Sequence, residues 1–201
     1  MQQYDISQFN SIIKNRRTIL PPMYVKGKTI PDEIIWQILE NANYAPNHKH
    51  TEPWRFTVFI GEGLRYFAEL QARLYKEFAG EKFKEIKLKK LLDFPLMSSH
   101  VIAIKMKRNK ENKVRELEEI EATACAVQNM FLTATAYGLG AYWTTGGITY
   151  FEEAKEHFGL EEDDKLLGFF YLGCLEKEIG DGYRRGDIRE KVEWVGEAIK
   201  H

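Results

Sequence analysis

The stretch from about residue 114 to residue 137 constrains the fold of this chain more than any other. It reads as one long helix, closed by Gly138 as its C-terminal cap. Ala122, Ala124, Ala126, Ala134 and Ala136 carry little side-chain bulk, so another backbone can approach closely. A helix of this kind belongs at the heart of a domain or at a subunit interface.

The segments around it alternate between helical and strand patterns. Ile6, Phe9, Ile12 and Ile13 recur at helical spacing and put Arg16 and Arg17 at the end of a first helix. Pro21 and Pro22 predict an extended connection. Pro31 suits the first position of a second helix, whose buried face is Ile34, Ile35, Ile38, Leu39 and Ala42 and which stops at Pro46. Phe56, Val58 and Ile60 then alternate along a strand closed by Gly61-Glu62-Gly63. Helices are predicted around residues 64–74 and 83–91, and a central strand over 101–106. A short strand over 141–144, a short helix over 151–158 and an apolar strand over 167–172 complete the list. Lys82, Lys84, Lys87, Lys89 and Lys90 read as the solvated side of their helix, because Glu81 and Glu85 interrupt the charge. The order is not a regular βαβ alternation. The expectation is an α+β fold, a modest sheet wrapped by helices, in a single domain over residues 1–201.

Composition removes several function classes. Lys plus Arg number 29 and Asp plus Glu 30, for a net charge of −1, which argues against a general nucleic-acid or anionic-membrane binder. No segment reaches the ~18 consecutive apolar residues of a membrane span. The polar start, Met1 to Asp5, does not resemble a signal peptide. Cys125 and Cys174 lack CxxC spacing and read as buried thiols in a reducing cytoplasm. The expected location is cytoplasmic. The glycines make neither a GxGxxG turn between strand and helix nor a P-loop.

Five segments carry candidate chemistry. In Ala45-Pro46-Asn47-His48-Lys49-His50-Thr51-Glu52-Pro53-Trp54, two prolines bracket a polar loop running from a helix into a strand, a place where a chain closes around ligands. His48 and His50 stand at alternate positions, but a metal site needs further ligands at recognisable spacing, and none is evident. An ordinary polar loop is the plainer alternative. Arg16-Arg17-Thr18 offers two cations and a hydroxyl, a kit for a phosphate, or else surface cations complementing a helix dipole. Gln128 and Asn129 lie inside an otherwise apolar helix and need partners, structural or cofactor. Trp143-Thr144-Thr145-Gly146-Gly147 is either a plain turn or a loop whose glycines let a ligand approach the backbone. Tyr183-Arg184-Arg185-Gly186-Asp187 is a solvated charged tail or a further anion grip.

Together these segments resemble the FMN-binding nitroreductase family, which pairs an early Arg-Arg-Ser with a later Ala-Pro-Ser/Asp…Gln-Pro-Trp. Similar Gln-Asn-Met/Leu, Gly-Leu-Gly and Trp-x-Thr-Gly runs follow there, then a basic segment ahead of an acidic residue and a tryptophan. The matches run from residue 16 to residue 194, and only the segment from about 64 to 92 lacks one. The resemblance implies a nitroreductase-like fold with a central, mostly antiparallel sheet and a helix-mediated homodimer holding flavin at the interface. It implies FMN as cofactor and NAD(P)H as co-substrate. Arg16, Arg17 and Thr18 would hold the FMN phosphate, with Arg185 and then Arg184 completing the clamp. Tyr44, Asn47, His48 and His50 would touch the cofactor at the interface, and Gln128 from the long helix. Trp143, Thr144, Thr145 and Gly146 would lie beside the flavin. Thr18 replaces the usual serine, Leu20 stands where an arginine is frequent, and His50 and Glu52 stand where Asn and Gln are frequent. FMN carries the chemistry, so no catalytic side chain and no metal is expected. A nitroaromatic, a quinone or an activated alkene would accept electrons by ping-pong hydride transfer. A flavin-binding regulator or carrier without turnover is the alternative, and a non-flavin interaction protein is a third.

Overall fold

Strand β2 (His100–Met106) is buried along both faces, because Val101 and Ala103 join one apolar layer and Ile102 and Ile104 the other. It pairs with β1 (Trp54–Phe59) and with β4 (Lys165–Cys174), and β4 pairs with β3 (Leu139–Thr144). All pairings are antiparallel, in the order β1-β2-β4-β3. The computed structural model describes residues 4–111, 113–177, 180 and 182–196.

Helices α2 (Asp32–Asn43) and α5 (Glu116–Ala136) cover one face of the sheet, through Ile35, Ile38, Ala126, Val127 and Met130 against Ile104, Phe170 and Leu172. Helices α3 (Glu62–Phe78) and α4 (Glu85–Leu96) cover the other, through Phe67, Leu70, Leu74 and Leu88 against Ala103, Phe169 and Tyr171. The result is a helix–sheet–helix sandwich with two apolar layers.

Local chemistry fixes the helix ends. Asp5 accepts from the backbone N–H groups of Ser7 and Gln8 and starts α1 (Ile6–Asn15). At the head of α5, Glu118 Oε2 accepts from Arg115 N at 3.2 Å, and Glu116, Glu118 and Glu119 complement the positive end of the dipole. Gly138, at φ +67°, closes α5 in the left-handed region, as its position predicts. Pro95 lies inside α4 and cannot donate to the carbonyl of Leu91 one turn earlier. The buried amide of Gln71 on α3 donates to that carbonyl instead, at 2.5 Å, and so ties the two helices together.

Several expectations are corrected. Pro21–Met23 forms a short 3-10 turn, compatible with the fixed φ of proline, instead of an extended connection. Pro31 is the N-cap of α2 and not its first helical residue, and Ile60 falls outside β1. Cys125 is exposed on the outward side of α5, while Cys174 is buried. Lys87 is half-buried, unlike the solvated lysines around it. No residue of α1 is buried, and Ile6, Phe9 and Ile13 face outward. Among the described residues no helix is long and apolar enough to cross a membrane, and no cluster of His, Cys, Asp and Glu is arranged to hold a metal ion.

Candidate functional site

The last turn of α1 delivers a group of cations. Arg16 is its C-cap, and the guanidinium lies 5.2 Å from the centroid of the Phe131 ring on α5. Arg17 Nη1 donates to the carbonyl of Lys14 and, at 3.0 Å, to that of Arg16, while its buried Nε meets no acceptor among the described residues. A Cβ on Gly182 would lie 2.5 Å from that Nε, so the C-terminal segment packs directly on Arg17. Burial, then the charges of Arg184 and Arg17, push the Arg16 guanidinium below its ordinary value. Arg17 and Arg184 line an open cleft of about 850 Å³ along α1 with Ser7, Ser11 and Lys14. Thr18 and Arg185 are exposed beside this group.

From there the chain touches the outer edge of β3 at Ala141 and then passes to the end of β4 at Cys174. Ile19 N donates to the carbonyl of Ala141 at 2.8 Å, and Val25 N to that of Cys174 at 2.9 Å. Tyr24 fastens the segment from beneath. Its hydroxyl lies 2.8 Å from the Ile19 carbonyl and 3.2 Å from that of Tyr171, and its ring covers the paired glycines Gly140 and Gly173. Burial raises the Tyr24 phenol well above its ordinary value, so it stays a donor. Three residues beyond Ala141, about 10 Å along the strand, β3 ends at Thr144. Thr144 Oγ1 accepts from Gly146 N at 3.3 Å, and Thr149 Oγ1 donates to the Gly146 carbonyl at 2.9 Å. Thr145 is exposed. The Trp143 indole donates to the carbonyl of Leu167 at 3.0 Å, beside a break in the β2–β4 register, so its polar atom serves the sheet.

The 44–52 loop lies elsewhere. Lys49, His50 and Glu52 adopt φ of 54°, 52° and 43°, an unusual run for residues with side chains. Asn47 braces it by accepting from Glu52 N at 3.1 Å. Tyr44 is 78% exposed, and His48 Nδ1 lies 3.2 Å from Glu118 Oε2 at the head of α5. Phe131, under Arg16, follows Glu118 by thirteen residues, which is about 20 Å of helix. One chain therefore brings Arg16, Arg17, Arg184 and the 143–147 segment to one sheet edge and holds Tyr44 and His48 apart from them. Gln128 is exposed on α5, whereas Asn129 donates to the carbonyl of Asn41 on α2 at 3.0 Å. Tyr24, Lys87 and Glu118 were not singled out as site residues from the sequence, because what they touch is distant along the chain.

Residues 13–174 match the sequence profile of the Nitroreductase family. The chain belongs to that family. A Bacillus subtilis protein named "Putative NAD(P)H nitroreductase YfhC" is 28% identical over 197 residues, covering 94% of this chain and 95% of the relative. The crystal structure of a nitroreductase-like family protein from Bacillus cereus superposes with a TM-score of 0.77 at 28% identity, covering 97% of this chain and 98% of that one. The FMN-dependent nitroreductase NfnB from Mycobacterium smegmatis, solved with NADPH, shares the fold at TM-score 0.74 and 18% identity, covering 96% of this chain and all of that one (100%). The nitroreductase match takes in Arg16, the 44–52 loop and the 143–147 segment, and ends before Arg184 and Arg185.

Proposed function

We propose that this member of the nitroreductase family is an FMN-dependent oxidoreductase that takes hydride from NAD(P)H and passes electrons to a nitroaromatic, a quinone or an activated alkene. The observation that carries the reading is the group Arg16, Arg17 and Arg184. Among the described residues these cations gather with no carboxylate paired to them, and the buried Nε of Arg17 meets no acceptor. Such an arrangement suits a bound anion, and a phosphate monoester is a dianion with several acceptor oxygens. Gly146 and Thr144, on the same sheet edge, suit a planar ring approaching a backbone without side-chain bulk.

When bound, FMN supplies the hydride-accepting and electron-donating chemistry. Arg16, Arg17, Thr18, Arg184 and Arg185 hold its phosphate, and Thr144, Thr145 and Gly146 meet the ring. Trp143 acts indirectly, by fixing the end of β3. Donor and acceptor take turns at one pocket, which makes the kinetics ping-pong.

Tyr44, Asn47, His48 and His50 reach the cofactor of a second subunit in this reading. The 20 Å spacing along α5 supports that arrangement. So do the uncovered apolar residues of α1 and the outward stripe of α5, Leu117, Glu121, Cys125, Gln128 and Ala136, in which Glu121 is the one charged side chain. The test is an anaerobic titration of purified protein with NADH and NADPH. Bleaching of a visible flavin spectrum, reversed by a quinone or nitroaromatic, is the expected result. Flavin that stays oxidised favours the carrier reading, and protein that neither retains nor takes up FMN sinks both.

A further inference from the structure

Helix α4 aims one cation at the loop that follows β3. A Cβ on Gly146 would lie 3.6 Å from Thr144 Oγ1 and 3.7 Å from Lys87 Nζ, so a hydroxyl and an ammonium border the face left open by the missing side chain. Leu91, one turn after Lys87, fills the space beside Gly147, where a Cβ would approach it to 2.9 Å. The same face of α4 therefore buttresses the whole loop. Gln71, through the Leu91 carbonyl, sets the position of that face.

Lys87 is half-buried, and no carboxylate pairs with it among the described residues, whereas Lys89 on the same helix pairs with Asp93 at 2.7 Å. The ammonium lies 5.4 Å from the centroid of the Tyr75 ring, a favourable cation–π separation. That ring is fixed in turn. Its hydroxyl donates to the Lys82 carbonyl at 3.0 Å and accepts from Lys84 N at 3.1 Å, and Phe83 stacks on it at 5.5 Å. The arginines cannot serve this place, since they sit at the Ile19–Ala141 level, about 10 Å back along β3.

We propose that Lys87 is a cofactor-contact residue whose ammonium faces the flavin edge at Gly146 and stabilises the charge that reduction places there. This rests on the proposed seating of FMN against residues 143–147. Hydride transfer moves two electrons and one proton from the dihydronicotinamide C4 to flavin N5. The nicotinamide leaves as its oxidised cation, and the flavin gains one negative charge, shared by N1 and the C2 oxygen. No solvent proton is needed in that step. A fixed cation beside this edge favours the reduced over the oxidised form.

The test measures the midpoint potential of FMN-loaded protein by equilibration with a reference dye, together with the affinity for oxidised FMN. Lys87→Met should bind reduced flavin about tenfold less tightly relative to oxidised flavin, a fall of about 30 mV for a two-electron couple. Lys87→Arg should restore most of it. Lys89→Met removes a neighbouring, solvated charge and should leave the potential unchanged. Lys87→Gln provides the same reading should the methionine variant fold poorly. A flavin-loaded Lys87→Met or Lys87→Gln protein with unaltered potential overturns the assignment, as does an equal shift in Lys89→Met. Failure of the unmodified protein to bind FMN overturns the flavin reading and this assignment together.

Discussion

His48 Nδ1 lies 3.2 Å from Glu118 Oε2, and the same carboxylate oxygen caps α5 by accepting from Arg115 N. Its hydrogen bonds, first to His48 and then to Arg115 N, hold the Glu118 carboxyl below its usual 4.5. A lowered carboxylate contributes stability above its unfolded pKa and loses it as pH falls through the lowered folded value. Glu118→Gln should therefore flatten part of the acid limb of the stability–pH curve below about pH 5, measured by urea denaturation across pH. It should also free His48. His48→Gln itself should retain turnover, reduced about tenfold, or roughly 1.4 kcal/mol.

Arg16 and Arg184 repel each other, which gives their joint removal a two-sided outcome. Without FMN, the Arg16→Ala/Arg184→Ala protein should melt no lower than the unmodified chain. With FMN at 100 times the original Kd, the unmodified chain should gain about 2.7 kcal/mol and the double variant little. Thermal melts with and without FMN check both halves. Equal stabilisation of the two proteins would remove these arginines from the phosphate site.

Glu119 is fully buried on α5, where Oε2 accepts from Arg108 Nη1 and Oε1 from Asn109 N at 2.9 Å. Arg108 also donates to the Val114 carbonyl at 2.9 Å. Glu119→Ala leaves a largely buried guanidinium and a backbone N–H without their acceptor. The expected loss is about 3–5 kcal/mol in denaturant titrations.

Gly173 carries the ring of Tyr24. A Cβ there would lie 2.2 Å from the ring, so Gly173→Ala must push Tyr24 away from Ile19. The expected cost is about 1–3 kcal/mol of stability. FMN affinity should fall as well, because the Arg16–Ile19 segment loses its anchor. Unchanged affinity at reduced stability would separate the anchor from the cofactor grip.

Assembly can be read by light scattering at micromolar concentration. The holoprotein should run as a dimer. A flavin-loaded monomer would mean that Tyr44 and His48 do not reach a second subunit's cofactor.

Periodic segments were the most legible part of the sequence. The α5 alanines, the 101–106 run and the Gly138 cap all lie where patterning put them, because each depends on neighbours within a few residues. Strand order was not legible, since the pairing of β2 with β4 is set by burial on both faces. The same limit hid Lys87. Its charge looks like that of Lys89 and Lys90 until the fold brings Gly146 beside it. The sequence marks Trp143 as a cofactor neighbour but does not disclose that its indole N–H bonds Leu167, a partner on another strand. The residues around Arg16 were legible in kind but not in company, because the packing of Gly182 on Arg17 joins distant parts of the chain.

The hydrogen bond from Ile19 to Ala141 has a bearing on solubility. β3 is an outer strand, and an unpaired strand edge is a template on which other chains can assemble. The backbone next to Arg16 and Arg17 is also the guard rail of that edge. Anything that peels the arginines away bares the Ala141 carbonyl on the β3 edge at the same moment. Loss of the anion and the onset of aggregation are thereby coupled through one short stretch of chain, so cofactor-starved protein should be the form that clumps.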